Sequence, residues 1–260
     1  MPQVTSKDGT VIGFDRMGAG PPVVIVNGSL GYRDYFGDRE LAGLLAAKFT
    51  VVIYDRRGRG ESTDTPPYAI EREIEDIEAL IDAVGGRACL YGVSSGAALA
   101  LKATARLGAK VTKLAMYEPP YGTDANDREE HERATQQLNE CLTAGDRGGA
   151  VALFMGNFMA ADEIEAFRRS SPEEWATLEA VAPTLAYDYA IMAEQVPPAD
   201  AASVSAPALI LTGSEGLPYL DEAIEIVVAA LPAVRRETLA GESHSPSAEA
   251  LAPRLIEFFS

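Results

Sequence analysis

Cys89-Leu90-Tyr91-Gly92-Val93-Ser94-Ser95-Gly96-Ala97-Ala98-Leu99 runs from a β-type segment through G-x-S-x-G straight into an Ala-rich helical one. This pattern predicts a strand, a turn too tight for ordinary side chains, and a helix that begins at the turn. Gly92 and Gly96 remove the Cβ atoms that such a turn would press together. Ser94 would then stand clear of the backbone, where a base can take its proton; without that help a serine hydroxyl is a poor nucleophile at neutral pH. The plainer reading is a Gly/Ser-rich connection between strand and helix. Against it stands the context: strand before, helix after, and a histidine downstream.

Upstream, Val4 to Arg16 reads as an N-terminal β-hairpin turning at Lys7-Asp8-Gly9-Thr10. Val23 to Val26 is a continuous apolar, β-branched run, as in a strand covered on both faces of a parallel sheet. It ends in Asn27-Gly28-Ser29-Leu30-Gly31, a loop that can turn backbone N–H groups toward the edge where open α/β sheets bind ligands. Half of an oxyanion hole is expected there, at Gly28 or Ser29; the alternative is an ordinary strand-to-helix loop. A helix over Tyr35 to Lys48 and a strand Thr50 to Tyr54 follow. The charged loop Asp55 to Ser62 reads as structural, its arginines and acids tying neighbouring loops together. From Ile70 to Val84 apolar residues recur at helical spacing with Glu71, Glu75, Glu78 and Asp82 on the other side.

Downstream, the helix Ser95 to Leu107 leads to a buried strand, Val111 to Tyr117, that stops at Glu118-Pro119-Pro120. From Tyr121 to Ser203 only helical patterns and polar breaks appear. Strand and helix then resume with Ala208 to Thr212, Tyr219 to Ala230, Arg236 to Leu239, the loop Gly241 to His244, and an amphipathic helix Glu249 to Phe259. The class is α/β with a mainly parallel sheet. Residues 1–120 and 204–260 form the core domain, and 121–203 a helical lid over the sheet's C-terminal edge.

The chain has 260 residues, 47% of them hydrophobic, and a formal net charge of −17, which excludes disorder and argues against nucleic acid or anionic membrane as partners. The first residues are polar, with no apolar run of signal-peptide or membrane-spanning length, so a cytoplasmic protein is expected. Cys89 and Cys141 form no disulfide or metal pattern and read as free thiols. Of two histidines, His131 lies in Glu129-Glu130-His131-Glu132-Arg133, a solvated helical face, which leaves His244 as the base.

Together these stretches resemble the α/β-hydrolase superfamily over nearly the whole chain outside the lid. The likeness rests on Asn27-Gly28, the D-x-R-G-x-G-x-S loop from Asp55 to Ser62, the Gly92 to Gly96 turn, Leu211-Thr212-Gly213, and His244. Family members usually carry His-Gly where this chain has Asn27-Gly28. The resemblance implies Ser94 as nucleophile, His244 as general base, and the N–H groups of Ser95 and of Ser29 or Gly28 as the oxyanion hole.

One position departs from the family. Most relatives place the acid of the triad three residues after the glycine that ends the penultimate strand, and here that residue is Gly216. Glu118, just past the strand that follows the Ser94 turn, is the preferred acid, with Pro119-Pro120 expected to hold the chain extended; Glu215 and then Asp221 are the substitutes. A minority of the superfamily draws its acid from there, among them the zearalenone-type lactonases. This chain resembles those lactonases in length, in its Ser-Ser-Gly turn and in a Glu shortly before Pro, and the resemblance places Trp175 near substrate.

Leu30 and Tyr187 are the other expected substrate contacts. The lid also supplies Phe154, Met155, Phe158, Met159, Leu178, Tyr189 and Met192, which either line a pocket for a bulky apolar small molecule or pack the lid on the core. The expected activity is cofactor-free and metal-free cleavage of a carboxylic ester or lactone through an acyl-enzyme. The alternatives are carbon–carbon bond hydrolysis, and a non-hydrolytic ligand-binding or cyclase descendant of the fold. Besides the small apolar substrate, a second copy of the chain in a homodimer is the one partner left open.

Overall fold

In the computed structural model, which describes residues 2–34, 37–193 and 199–260, eight strands form one sheet in the order β1-β2-β4-β3-β5-β6-β7-β8. They are β1 Gln3–Thr5, β2 Val11–Met17, β3 Pro22–Val26, β4 Thr50–Tyr54, β5 Ala88–Val93, β6 Val111–Tyr117, β7 Ala208–Gly213 and β8 Val234–Leu239. The first two pair antiparallel, β2 pairs antiparallel with β4, and every pair from β4 to β8 is parallel. The hairpin read at the N-terminus is therefore present, with its turn at Gly9 in a left-handed conformation. Outside it, the helices α1 Asp38–Leu45, α2 Ile70–Ala83 and α3 Ser95–Leu107 alternate with strands.

The central parallel strands read as apolar runs because both faces are covered, whereas the edge strand β8 is polar and partly exposed. Successive side chains point to opposite faces. Val24, Val52, Leu90, Leu114 and Ile210 accordingly meet α2 and α3, while Val23, Val51, Tyr91, Ala115 and Leu209 meet α1 on the other side. Two later helices complete the layers: α10 Ala248–Phe259 lies beside α1, and α9 Asp221–Ala230 with α2 and α3. Each fully buried Val, Leu or Ile stabilises the fold by about 1.5–3 kcal/mol before conformational entropy is counted.

Between β6 and β7 the described residues contain helices and no strand of the sheet: α4 Ala125–Thr143, α5 Arg147–Met155, α6 Ala161–Ser170, α7 Pro172–Val181 and α8 Leu185–Met192. They have a core of their own, with Leu138, Val151, Trp175, Leu178 and Leu185 packed around Leu30 from the loop after β3. Several boundaries differ from the sequence reading. The helix expected over Tyr35 to Lys48 is α1, from Asp38 to Leu45; Tyr35 and Phe36 lie outside the described residues, and Gly37 at +77° cannot continue a helix backward. The last strand starts at Val234 and the last helix at Ala248, where the Ser247 hydroxyl caps the Ala250 N–H.

Candidate active site

At the C-terminal ends of β3, β5, β6 and β8 the chain makes four turns that face one another. The turn after β5 holds Ser94 at φ +54°, ψ −128°, a conformation that L-residues rarely adopt. It is held by close backbone approach: a Cβ on Gly92 would lie 2.3 Å from the Gly96 carbonyl oxygen, and one on Gly96 would lie 2.2 Å from that of Val26. The Ser94 N–H donates to the Tyr117 carbonyl (2.9 Å). Side-chain removal at both glycines is thus a steric requirement of the turn, which is what the spacing implied.

His244, in the loop between β8 and α10, brings Nε2 to 3.1 Å from Ser94 Oγ and Nδ1 to 2.6 Å from Glu118 Oε2. An ionised carboxylate only accepts, so the proton sits on Nδ1 and the Nε2 lone pair faces the serine hydroxyl. Glu118 is 2% exposed, and its other oxygen accepts from the Gly213 N–H (2.9 Å). The Tyr117 hydroxyl donates to the Ser243 carbonyl and pins the histidine loop to β6. Glu118 does not continue extended before the prolines as expected; its φ is +42°, so the chain turns and swings the carboxyl inward.

The position left without an acid is accounted for by the same carboxyl. A Cβ on Gly216 would lie 2.0 Å from Glu118 Oε1. Glu215 lines the cavity from an exposed position, and Asp221 is a surface residue paired with Arg236 at 3.4 Å; Glu118, not these, occupies Nδ1 of His244.

Gly28 packs directly on the serine turn, where a Cβ would be 3.3 Å from that of Ser94. The Ser29 hydroxyl donates to Ser95 Oγ (3.1 Å), which donates to Asp188 Oδ1 on α8 (2.9 Å). Ser95 opens α3, so its N–H has no acceptor within the helix. Leu30 follows at φ +58° and lines the cavity. Beneath, the charged loop ties elements together as read. Arg59 donates to the carbonyls of Gly28 (2.7 Å) and Gly31 (3.0 Å) and pairs with Asp188 (2.7 Å); Arg56 pairs with Asp188 and with Glu73, each at 2.7 Å. Burial alone would raise the Asp188 carboxyl, but Arg59 and Arg56 outweigh it and hold the group below its ordinary value.

A cavity of about 440 Å³ opens from Ser94 and His244. The helical segment contributes Phe154, Met155, Phe158, Met159 and Leu178 to its wall. Phe158 lies over the imidazole, with ring centres 5.6 Å apart and planes 12° from parallel. Two residues expected against substrate are elsewhere. Trp175 is buried in the core of the helical segment with its indole N–H on Glu179 (2.7 Å), and Tyr187 stacks on Tyr68 at 3.9 Å with its hydroxyl on Asp64. Their helices turn Trp175 toward Phe167 of α6 and Tyr187 toward the loop that precedes α2. His131 is also corrected: rather than solvated, it is half-buried against α8, with Nε2 2.9 Å from the Tyr189 carbonyl, and burial lowers its pKa.

Asp38 was not singled out in the sequence, yet it lines the cavity at 6% exposure. No local signal set it apart, since it opens a charged first turn, Asp38-Arg39-Glu40. Burial pushes its carboxyl up to about 7, against a smaller opposing effect of the Asn27 amide. Among the described residues no group of His, Cys, Asp and Glu could hold a metal ion, both cysteines are free, and no helix is long and apolar enough to cross a membrane.

Residues 23–254 match the model of the alpha/beta hydrolase family, and the chain belongs to that family. It is similar to a solved alpha/beta hydrolase from Sphaerobacter thermophilus DSM 20745, with 42% identity and a TM-score of 0.88 over 100% of both chains. An enol-lactonase from Burkholderia xenovorans LB400 (21% identity, TM-score 0.74, 99% of each chain) shares the fold. So does a thermophilic esterase from Thermogutta terrifontis (20%, TM-score 0.75, 100% of this chain and 99% of that one). Among curated proteins, the uncharacterized hydrolase YraK of Bacillus subtilis (strain 168) is 32% identical over 115 residues. That match spans 43% of this chain and 42% of the relative's length.

Proposed function

We propose that this protein is a serine hydrolase that cleaves a carboxylic ester or lactone of a small, largely apolar substrate through an acyl-enzyme. The observation that carries the reading is the connected line Ser94 Oγ, His244 and Glu118, at 3.1 and 2.6 Å, opening on an apolar-walled cavity. Ser94 attacks the substrate carbonyl as its proton passes to His244 Nε2. Glu118 holds the ring in the attacking tautomer and stabilises the imidazolium that forms. The N–H groups of Ser95 and of Ser29 or Gly28 receive the developing oxyanion, and their two loops are aligned by the Ser29–Ser95–Asp188 hydrogen bonds. His244 returns the proton to the leaving oxygen, then takes one from a water that bonds to the acyl carbon and passes that proton to Ser94 Oγ as the serine–acyl bond breaks and the acid leaves. Residues 121–203 act as a cap whose Phe158, Met155 and Met159 exclude water from the acyl-enzyme. The esterase and enol-lactonase likenesses agree with this chemistry.

A fluorophosphonate probe tests it. Intact protein forms a single adduct at Ser94, and Ser94→Ala removes both adduct and turnover of 4-nitrophenyl esters. Full turnover in Ser94→Ala, or no adduct on the wild type, overturns the reading.

A further inference from the structure

Two polar groupings line the cavity. One is Ser94 with His244; the other, set among apolar residues, is Asp38 in the first turn of α1 with Asn27 just after β3. The Asn27 amide is oriented by its Nδ2, which donates to the Tyr54 carbonyl (3.2 Å). Its Oδ1 is then left buried with no hydrogen-bond partner among the described residues. A buried acceptor left in this way is costly unless something donates to it. Asp38 beside it is 6% exposed; the Asn27 amide is a donor toward its carboxylate, and among the described residues no Lys or Arg pairs with it. The start of α1 offers it only a partial positive charge.

Charge around the cavity points the same way. The acidic lining residues are Asp38 and Glu215, and neither Lys nor Arg is among the described lining residues. An anionic substrate would have to be desolvated against these carboxylates; a cation would be drawn in. A hydroxyl can satisfy one of the two acceptors at the inner wall. An ammonium group, with its N–H donors and its charge, satisfies Asn27 Oδ1 and the carboxylate together.

We propose that Asp38 and Asn27 form a recognition subsite for an alkylammonium group carried by the substrate at the end remote from the scissile carbonyl. The subsite deepens the hydrolase reading by naming the substrate class: esters or lactones with an aliphatic chain that ends in a protonated amine. It rests on that reading for which end of the substrate reacts, but not for binding. Other groups on this wall are Leu41 of α1, Tyr91 of β5, and Ala248 and Leu251 of α10. Of these only Tyr91 titrates, and burial together with the charge of Asp38 keeps its phenol neutral. Glu215 and His244 are the remaining titratable lining groups.

Calorimetric titration with butyl-, hexyl- and octylammonium against the alcohols of equal length reads the subsite without turnover. At pH 8 at least one amine should bind about tenfold or more tightly than its alcohol. That advantage should shrink toward pH 6 as Asp38 takes up a proton, disappear in Asp38→Asn, and persist in Glu215→Gln. Equal affinity of amine and alcohol in the wild type overturns the proposal, as does an advantage that survives Asp38→Asn; the wild-type pH series decides even where the variant fails to fold. In a second arm, kcat/KM is compared for 4-nitrophenyl esters of ω-ammonio acids and of plain acids. Turnover of neither ester would count against the hydrolase reading, while the titration still decides the subsite.

Discussion

Glu215 lines the cavity, while Glu118 is the carboxyl that lies behind the imidazole. Glu118→Gln should lower kcat on a 4-nitrophenyl ester by about 10²-fold or more, since the amide no longer fixes the tautomer or balances the imidazolium, while Glu215→Gln changes kcat little. The reverse ranking would transfer the acid's role. Asp38 gives a stability prediction whose sign is opposite to that of a salt-bridged acid. Its folded carboxyl is raised to about 7 from an ordinary value near 3.8, so ionising it costs the folded state more than the unfolded one. Its contribution is intact below about pH 4 and is lost as pH rises through 7. Asp38→Asn should therefore raise Tm by an amount that grows from pH 4 to 7 and then levels off, a gain on the order of a few kcal/mol. Ser94 and His244 were legible because each carries its signal locally, in glycine spacing or in the scarcity of histidine. Asp38 was not, because nothing near it in sequence tells which face of α1 meets a cavity whose other walls come from β5 and α10.

Among the elements, α8 does most to join the helical segment to the sheet. Its Asp188 accepts from Arg56, Arg59 and Ser95, and all four groups are buried. Removing the charge from one member of such a network leaves the other charges uncompensated, so Asp188→Asn should cost about 3 kcal/mol in urea unfolding. It should also lower kcat more than it raises KM, because Ser95 and Ser29 lose the group that aligns them. Phe158, half over the imidazole, should act on the other parameter: Phe158→Ala is expected to raise KM for long acyl chains several-fold with kcat within about threefold. The helical character of residues 121–203 was readable from periodicity, since β-type runs are missing there. The direction of individual residues was not. Trp175 and Tyr187 are aromatic and mid-helix like Phe154, and only the packing of α5 to α8 on each other decides which of them reach the cavity.

At the scale of the whole molecule, the order of strands and helices was legible in the core because most of its parallel strands are apolar runs separated by glycine-marked turns, whereas the separate helices of residues 121–203 were not placed. The net charge of −17 has a kinetic consequence at this scale. Raising salt from about 20 to 500 mM shortens the Debye length from tens of ångströms to a few. It should depress kcat/KM for an ammonium-bearing ester several-fold and leave its neutral counterpart unchanged. The contact between Gly216 and Glu118 reaches beyond this one chain. Two addresses for the acid exist at this rim, one after β6 and one after β7, and they compete for a single volume. A side chain at Gly216 would push the Glu118 carboxyl off the Gly213 N–H and the imidazole, so a carboxyl gained after β7 disturbs the one after β6. The exchange demands that one turn be stripped bare as the other is furnished, so transplanting the acid in the laboratory calls for a reciprocal double replacement rather than an addition.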